Sequence, residues 1–383
     1  MMKRVNTFQP VRFTLLLAGV LCLLLAAGCG SVPSPSPTRV DTPAPVTPTP
    51  QKPTPTFTAT LEPAPTASPE PAITPHPVSG GAAILASNAA ALQLAATWNA
   101  YANTLAFSPD SSLLATAGID RVIRLYTIPS MAEVRQLAEP PDMGYLYSLA
   151  FSPDGSLLAS GSGDHIIRLW NIETGELVSK INGHTLDVRA VAFSSDGQYL
   201  VSGSRDQAVR VWNVSDGSQI GFEGVCGEYV NSLSFAPDGS GFVAGCGNGE
   251  VRIFSADGRW KQTGAGHGSS INSVVYSPDS QLVAAGARNY DVWIYELEHG
   301  WVLKHLSGHT GFVNGVAFNP RGDILASASQ DGTIRLWNTA GWQLLAVLGD
   351  GSSEFLAVQF SPDGRMLAAS ARDGRLMIWT VNE

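Results

Sequence analysis

Positive charge is scarce in this sequence and nowhere concentrated. The chain carries 23 Lys and Arg against 32 Asp and Glu, a net charge of −9, with no basic block. Gripping nucleic-acid phosphates needs a clustered positive face, so no nucleic-acid partner is expected. Cysteine is rare too, four in 383 residues. Charged residues of both signs make up only 14%. The length suits one large or two ordinary domains.

What is present begins with an apolar run, Thr14 to Ala27 (TLLLAGVLCLLLAA), behind Lys3, Arg4 and Arg12. It is too short for a stable membrane span and has the length and flanks of an export signal. It ends in Leu25-Ala26-Ala27-Gly28-Cys29. Small residues directly before a cysteine resemble the lipobox of bacterial lipoproteins, although Ala26 stands where leucine is commonest. The resemblance implies a signal peptide over 1–28, cleavage before Cys29 and lipidation of that residue. The protein would then be extracytoplasmic and held to a bacterial membrane by lipid.

Residues 29–78 form a second region without a core. Runs such as TPAPVTPTPQKPTPTFTAT supply few backbone donors and favour extended polyproline conformations. At roughly 3.1 Å per residue the tether reaches about 150 Å when extended. Its Thr and Ser residues could accept O-linked sugar.

The third region, 79–383, repeats itself. Aligned on the aromatic of its first strand, it has copies at Phe107, Phe151, Phe193, Phe235, Tyr276, Phe318 and Phe360, spaced 44, 42, 42, 41, 42 and 42 residues. A period this regular signals a repeat architecture. Each copy reads as four short alternating strands, with Ser152-Pro153-Asp154-Gly155 showing the residue order of a type I turn. A single sheet cannot bury both faces, whereas copies stacked around an axis bury each other. The expectation is an all-β, seven-bladed propeller of four-stranded antiparallel blades. The last copy stops at or just after its third strand, so residues 91–97 (ALQLAAT) are expected to close the ring as its outer strand.

From about residue 90 to 383 the GH, SPDG, SxD and RLWN elements look like the WD40 repeat family. That resemblance implies a buried hydrogen-bond network joining a loop His, a strand Ser or Thr, a hairpin Asp and a third-strand Trp. Two copies hold all four: His184, Ser202, Asp206 and Trp212, then His309, Ser327, Asp331 and Trp337. The second copy keeps Ser160, Asp164 and Trp170, and the last keeps Asp373 and Trp379, while Tyr126, Phe254 and Tyr295 replace Trp elsewhere. A hydrolase triad is rejected, because the sets recur as a repeat element. In the fourth copy Cys226 takes the His position, and Cys246 lies two residues past the Ser position on the same strand face. In an exported domain these two thiols can bridge or stay as buried thiols.

In WD40 proteins the face around the channel on the side of the loops before the first strand is the commonest docking surface. Three positions per copy are expected there, six and four residues before the anchor aromatic and twelve after it. They place Tyr101, Tyr145, Asp187, Tyr229 and Phe312 beside Tyr147, Arg189, Asn231, Asn272 and Asn314, with Arg205, Arg288 and Arg372. Tyr and Arg are enriched in binding hot spots. A membrane-anchored, non-enzymatic scaffold for a protein or peptide follows, with a propeller that binds glycan or cell-wall polymer as the alternative. The aromatics could equally plug the channel, and the Asn residues could cap loops. A metal enzyme would need converging carboxylates or histidines, and these positions offer only Asp187 and Glu354. No cofactor or metal is expected, and the propeller is expected to be a monomer.

Overall fold

The computed structural model describes residues 81–138, 144–264, 268–298 and 301–381. The leader, Cys29 and tether lie outside the described residues. Within them the strands assemble into seven sheets of four antiparallel strands, the expected propeller. Its local logic is the alternation already visible in the sequence. In blade 3 the innermost strand Val188–Phe193 pairs with Tyr199–Ser204, then Ala208–Asn213, then Gln219–Val225. The intervening turn is held by Ser194 and Asp196. The Ser194 hydroxyl donates to Asp196 Oδ1 at 2.6 Å and accepts from the Tyr199 N–H at 2.9 Å.

The ring closes through its N-terminal strand. Leu92–Asn99 pairs antiparallel with Arg375–Val381 and completes the last blade, starting one residue later and ending two later than expected. The alanines just before it, Ala89–Ala91, form one turn of 3-10 helix. A segment that the period did not reveal precedes both. Ala82 bridges to Val381, and the Ile84 N–H donates to the Gly364 carbonyl at 2.7 Å. Asn319 Nδ2 donates to the Ile84 carbonyl at 3.1 Å, and the Ala86 N–H to Asp323 Oδ2 at 3.2 Å. Ile84 is 1% exposed. This clasp crosses the turns of blades 6 and 7, at the opposite end of the strands from the loops that precede each blade.

Burial explains the ring. The core divides into seven clusters, one at each seam between neighbouring blades. Leu146, Leu149 and Leu158 of blade 2, for example, pack on Ile123, Leu125 and Leu137 of blade 1. The second strand of each blade is built from small residues because the next blade presses on it. A Cβ on Gly203 would meet Val230 Cγ1 at 2.3 Å, and one on Gly245 would meet Ile271 Cγ2 at 2.7 Å.

Candidate functional site

The backbone brings the chosen positions together in pairs. In six blades the residue twelve after the anchor donates its N–H to the carbonyl of the residue six before it. Examples are Arg205 to Asp187 at 3.0 Å, Arg288 to Ser270 at 3.0 Å and Arg372 to Glu354 at 2.8 Å. The residues four before the anchor (Asn103, Tyr147, Arg189, Asn231, Asn272, Asn314 and Leu356) all line a central cavity of about 630 Å³. Arg288, Phe312, Gln330, Glu354 and Arg372 reach the same cavity. Tyr101, Tyr145, Asp187, Arg205 and Tyr229 do not line it and stand on the outer rim, where the three tyrosines are exposed.

Three of the four asparagines tie blades together rather than cap loops. Asn231 Nδ2 donates to the Ile271 carbonyl at 2.8 Å, and Asn314 Nδ2 to the Phe355 carbonyl at 2.9 Å. Asn272 Nδ2 reaches the Val313 carbonyl at 3.3 Å and Asn314 Oδ1 at 3.2 Å. They form a polar collar fixed to the next blade, so their free capacity lies mainly in their oxygens. Asn272 Oδ1 already accepts from Arg288 Nε at 3.1 Å.

The aromatics do not plug the channel either. Four of them carry a guanidinium, each across a blade seam: Arg121 over Tyr145 at 5.6 Å, Arg189 over Tyr147 at 4.7 Å, Arg205 over Tyr229 at 5.2 Å and Arg288 over Phe312 at 5.6 Å. Such contacts hold the cation by the ring quadrupole and leave its N–H edge for other partners. Arg121 and Tyr290 were missed, the latter stacked on Phe312 at 5.9 Å. Both lie fourteen residues after the anchor, where every copy has a positive φ; three copies place Gly there, the others Arg121, His165, Gln207 and Tyr290. A position that alternates glycine with large side chains was the available signal.

The carboxylates are already engaged. Asp187 sits 3.4 Å from Arg205 and 3.8 Å from Arg189. Glu354 Oε1 accepts from Arg372 Nη2 at 3.0 Å and from Asn314 Nδ2 at 3.0 Å. Burial, with repulsion from Arg205 and Arg288, lowers the Arg189 pKa against the opposing pull of Tyr147 and Asp187. Burial likewise raises that of Tyr147.

Below this face lie the repeated polar sets. Trp212 Nε1 donates to Ser202 Oγ at 2.7 Å, Ser202 lies 2.7 Å from His184 Nε2, and His184 Nδ1 lies 2.9 Å from Asp206. Trp337, Ser327, His309 and Asp331 repeat the chain at 2.9, 2.8 and 2.9 Å. The histidines are buried under the loops, remote from any cavity wall described above. In blade 2 Arg168 forks onto Asp164 at 3.1 and 2.6 Å, and Trp170 Nε1 donates to Ser160 at 3.0 Å. Blade 4 substitutes a covalent link: Cys226 and Cys246 are disulfide-bonded, with Cα atoms 5.6 Å apart and both residues fully buried. Cys246→Ser should cost about 3 kcal/mol, the chain-entropy value for a loop of this length. A urea titration of variant against oxidised wild type reads it, and an unchanged midpoint would refute it.

The WD domain, G-beta repeat model matches the chain seven times, at residues 93–127, 136–171, 175–213, 222–255, 258–296, 300–338 and 342–380. The chain belongs to the WD40 repeat family. Each match opens on the outer strand of one blade or within two residues before it and ends on the third strand of the next, and the first opens inside the closing strand. This WD40 propeller therefore has the architecture of a common protein-interaction scaffold. None of the curated proteins matches it. Among the described residues no group of three or more His, Cys, Asp or Glu is placed to hold a metal ion, and no helix is long and apolar enough to cross a membrane.

Proposed function

We propose that this WD40 protein is a lipid-anchored, extracytoplasmic scaffold that holds a protein or peptide partner over its channel mouth. The observation that carries the reading is the array of arginines seated on aromatic rings at one end of the channel. Arg and Tyr give large contact area with polar ends at low entropic cost, the composition of binding hot spots. Among the described residues no other arginine or lysine is seated on an aromatic ring, and the polar sets beneath this face serve blade cohesion. Sugar stacking needs open ring faces, and here guanidiniums already occupy one face of four rings. The lipobox-like LAAGC supports the anchor, and the Pro/Thr-rich stretch after it supports a spacer.

The test compares wild type with a Tyr145→Ala, Arg189→Ala double variant in pull-downs from envelope extract, bound proteins being identified by mass spectrometry. A defined protein retained by wild type and lost by the folded variant is expected. Equal capture by both would move recognition to the blade edges or the opposite face. In the same cells, Cys29→Ser should shift the protein from the membrane to the soluble fraction, and no shift would remove the anchor from the proposal.

A further inference from the structure

We propose that the channel mouth recognises carboxylates of an acidic peptide segment, with Arg288 and Arg189 as the cations that receive them. The inference rests on the docking face proposed above and narrows it to one chemistry.

Charge bookkeeping at the mouth comes first. Arg121, Arg189, Arg205, Arg288 and Arg372 gather at the mouth and its rim against Asp187 and Glu354, with Glu228 on the rim beside Gly247, in a chain whose net charge is −9. Asp187 and Glu354 are consumed by Arg205, Arg189, Arg372 and Asn314. Arg288 has no carboxylate within ion-pair distance among the described residues. Its one protein hydrogen bond there uses Nε, to Asn272 Oδ1 at 3.1 Å. The Arg189 Nε is buried with no hydrogen-bond acceptor. Arg205 and Arg288 both lie near enough to Arg189 to repel it. Holding like charges together is unfavourable in the free protein, and an incoming anion relieves that cost.

Geometry then selects the anion. A guanidinium resting on a ring presents a planar fork that matches a carboxylate. Asn272 and Asn314 already accept through their amide oxygens, and those of Asn103 and Asn231 on the cavity wall are the acceptors left for peptide N–H groups. A cavity of about 630 Å³ suits a few residues or a chain end. A polyanionic polymer would instead need charge along an extended groove, and here it surrounds one closed opening. The exposed rings of Tyr101, Tyr145 and Tyr229 provide apolar surface for the flanking peptide.

The experiment uses fluorescence anisotropy on the full-length chain with labelled hexaglutamate, matched hexaglutamine and hexagalacturonate. Arg288→Ala is the site variant; Arg288 is exposed, so its replacement leaves folding within about 0.5 kcal/mol. Arg365→Ala, exposed on the opposite face, is the control. Hexaglutamate should bind at least about tenfold more tightly than hexaglutamine. Arg288→Ala should remove about tenfold, equivalent to about 1.4 kcal/mol, while Arg365→Ala changes nothing. Equal binding of the two peptides, or full binding by Arg288→Ala, overturns the carboxylate site, and tighter binding of hexagalacturonate overturns the peptide. An envelope partner lost by the Tyr145→Ala, Arg189→Ala variant but not displaced by hexaglutamate overturns this inference alone. Capture indifferent to that variant overturns the docking face itself.

Discussion

Asp331→Ala should lower the stability of the propeller by about 3 kcal/mol. The carboxylate accepts from His309 Nδ1 at 2.9 Å, from the Thr310 N–H at 2.9 Å, and from the Thr333 N–H and hydroxyl at 2.9 and 2.6 Å. Removing it strands a buried imidazole N–H and three further donors, each costing on the order of 1 kcal/mol or more where water cannot replace the acceptor. Asp373 holds the same place in blade 7 but is exposed beside Arg375, so Asp373→Ala should stay within about 1 kcal/mol. Burial, not motif membership, decides the difference. Paired urea titrations read it, and equal losses would refute the argument.

The same network sets a pH dependence. Burial works against ionisation of Asp331, but the bonds from Thr333, the Thr310 N–H and His309 outweigh it and hold its carboxyl below the usual range. Asp206 is lowered in the same way, by His184 and the Thr185 and Ala208 N–H groups against burial. Burial lowers His309 in spite of Asp331, which keeps the ring neutral with its proton on Nδ1, so the Ser327 hydroxyl donates to Nε2. A carboxyl with a depressed folded pKa contributes stability above its unfolded value of about 4, and loses it as pH falls towards the folded value. A histidine with a depressed folded pKa contributes above about 6.5 and loses that as acid charges the unfolded chain. Both slopes have one sign: stability falls on acidification, first below about 6.5 and further below about 4. The cost of Asp331→Ala should therefore be larger near neutrality than in acid.

Ile84→Asp should cost about 3–5 kcal/mol and open the last seam. Removing a buried isoleucine from a packed site costs about 2–5 kcal/mol, and the new carboxyl must either stay buried without partners or drag the clasp into water. Ile84 packs within the cluster between blades 6 and 7, so its loss also loosens Leu92 at the start of the closing strand. Ala83→Asp, one residue away and exposed, should be silent to within about 0.5 kcal/mol. Hydrogen exchange on Leu92–Asn99 and Arg375–Val381 would localise the effect. Uniform exchange in both variants would mean the clasp contributes nothing to closure.

The blade count, strand order and closing strand were legible because a 42-residue period repeats its turn residues and its alternation in register. The clasp was not, since residues 82–87 follow no period and their partners lie in turns more than 230 positions away. One letter marked it all the same. Asn319 stands where five other copies have Ser, and it is fully buried. A serine hydroxyl has one proton to give; the Asn319 amide gives two, to Ile84 and to Asp323 Oδ1 at 2.6 Å, while its Oδ1 accepts from the Ile324 N–H at 3.0 Å. The channel-mouth positions were readable as a register. Which of them carry a free cation was not, because that depends on which side chains meet in space: Arg288 and Arg372 hold equivalent places, yet Glu354 pairs with Arg372 and no carboxylate among the described residues meets Arg288.

Where the chain joins the ring has a mechanical consequence. The backbone reaches the disc at residues 81–87, against the turns of blades 6 and 7, at the strand ends remote from the channel mouth. A pull on the upstream chain is therefore taken first by the clasp, through its bonds to Gly364, Asn319 and Asp323, before any load reaches the strand that closes the ring. The clasp acts as strain relief, as a cable grip protects a soldered joint.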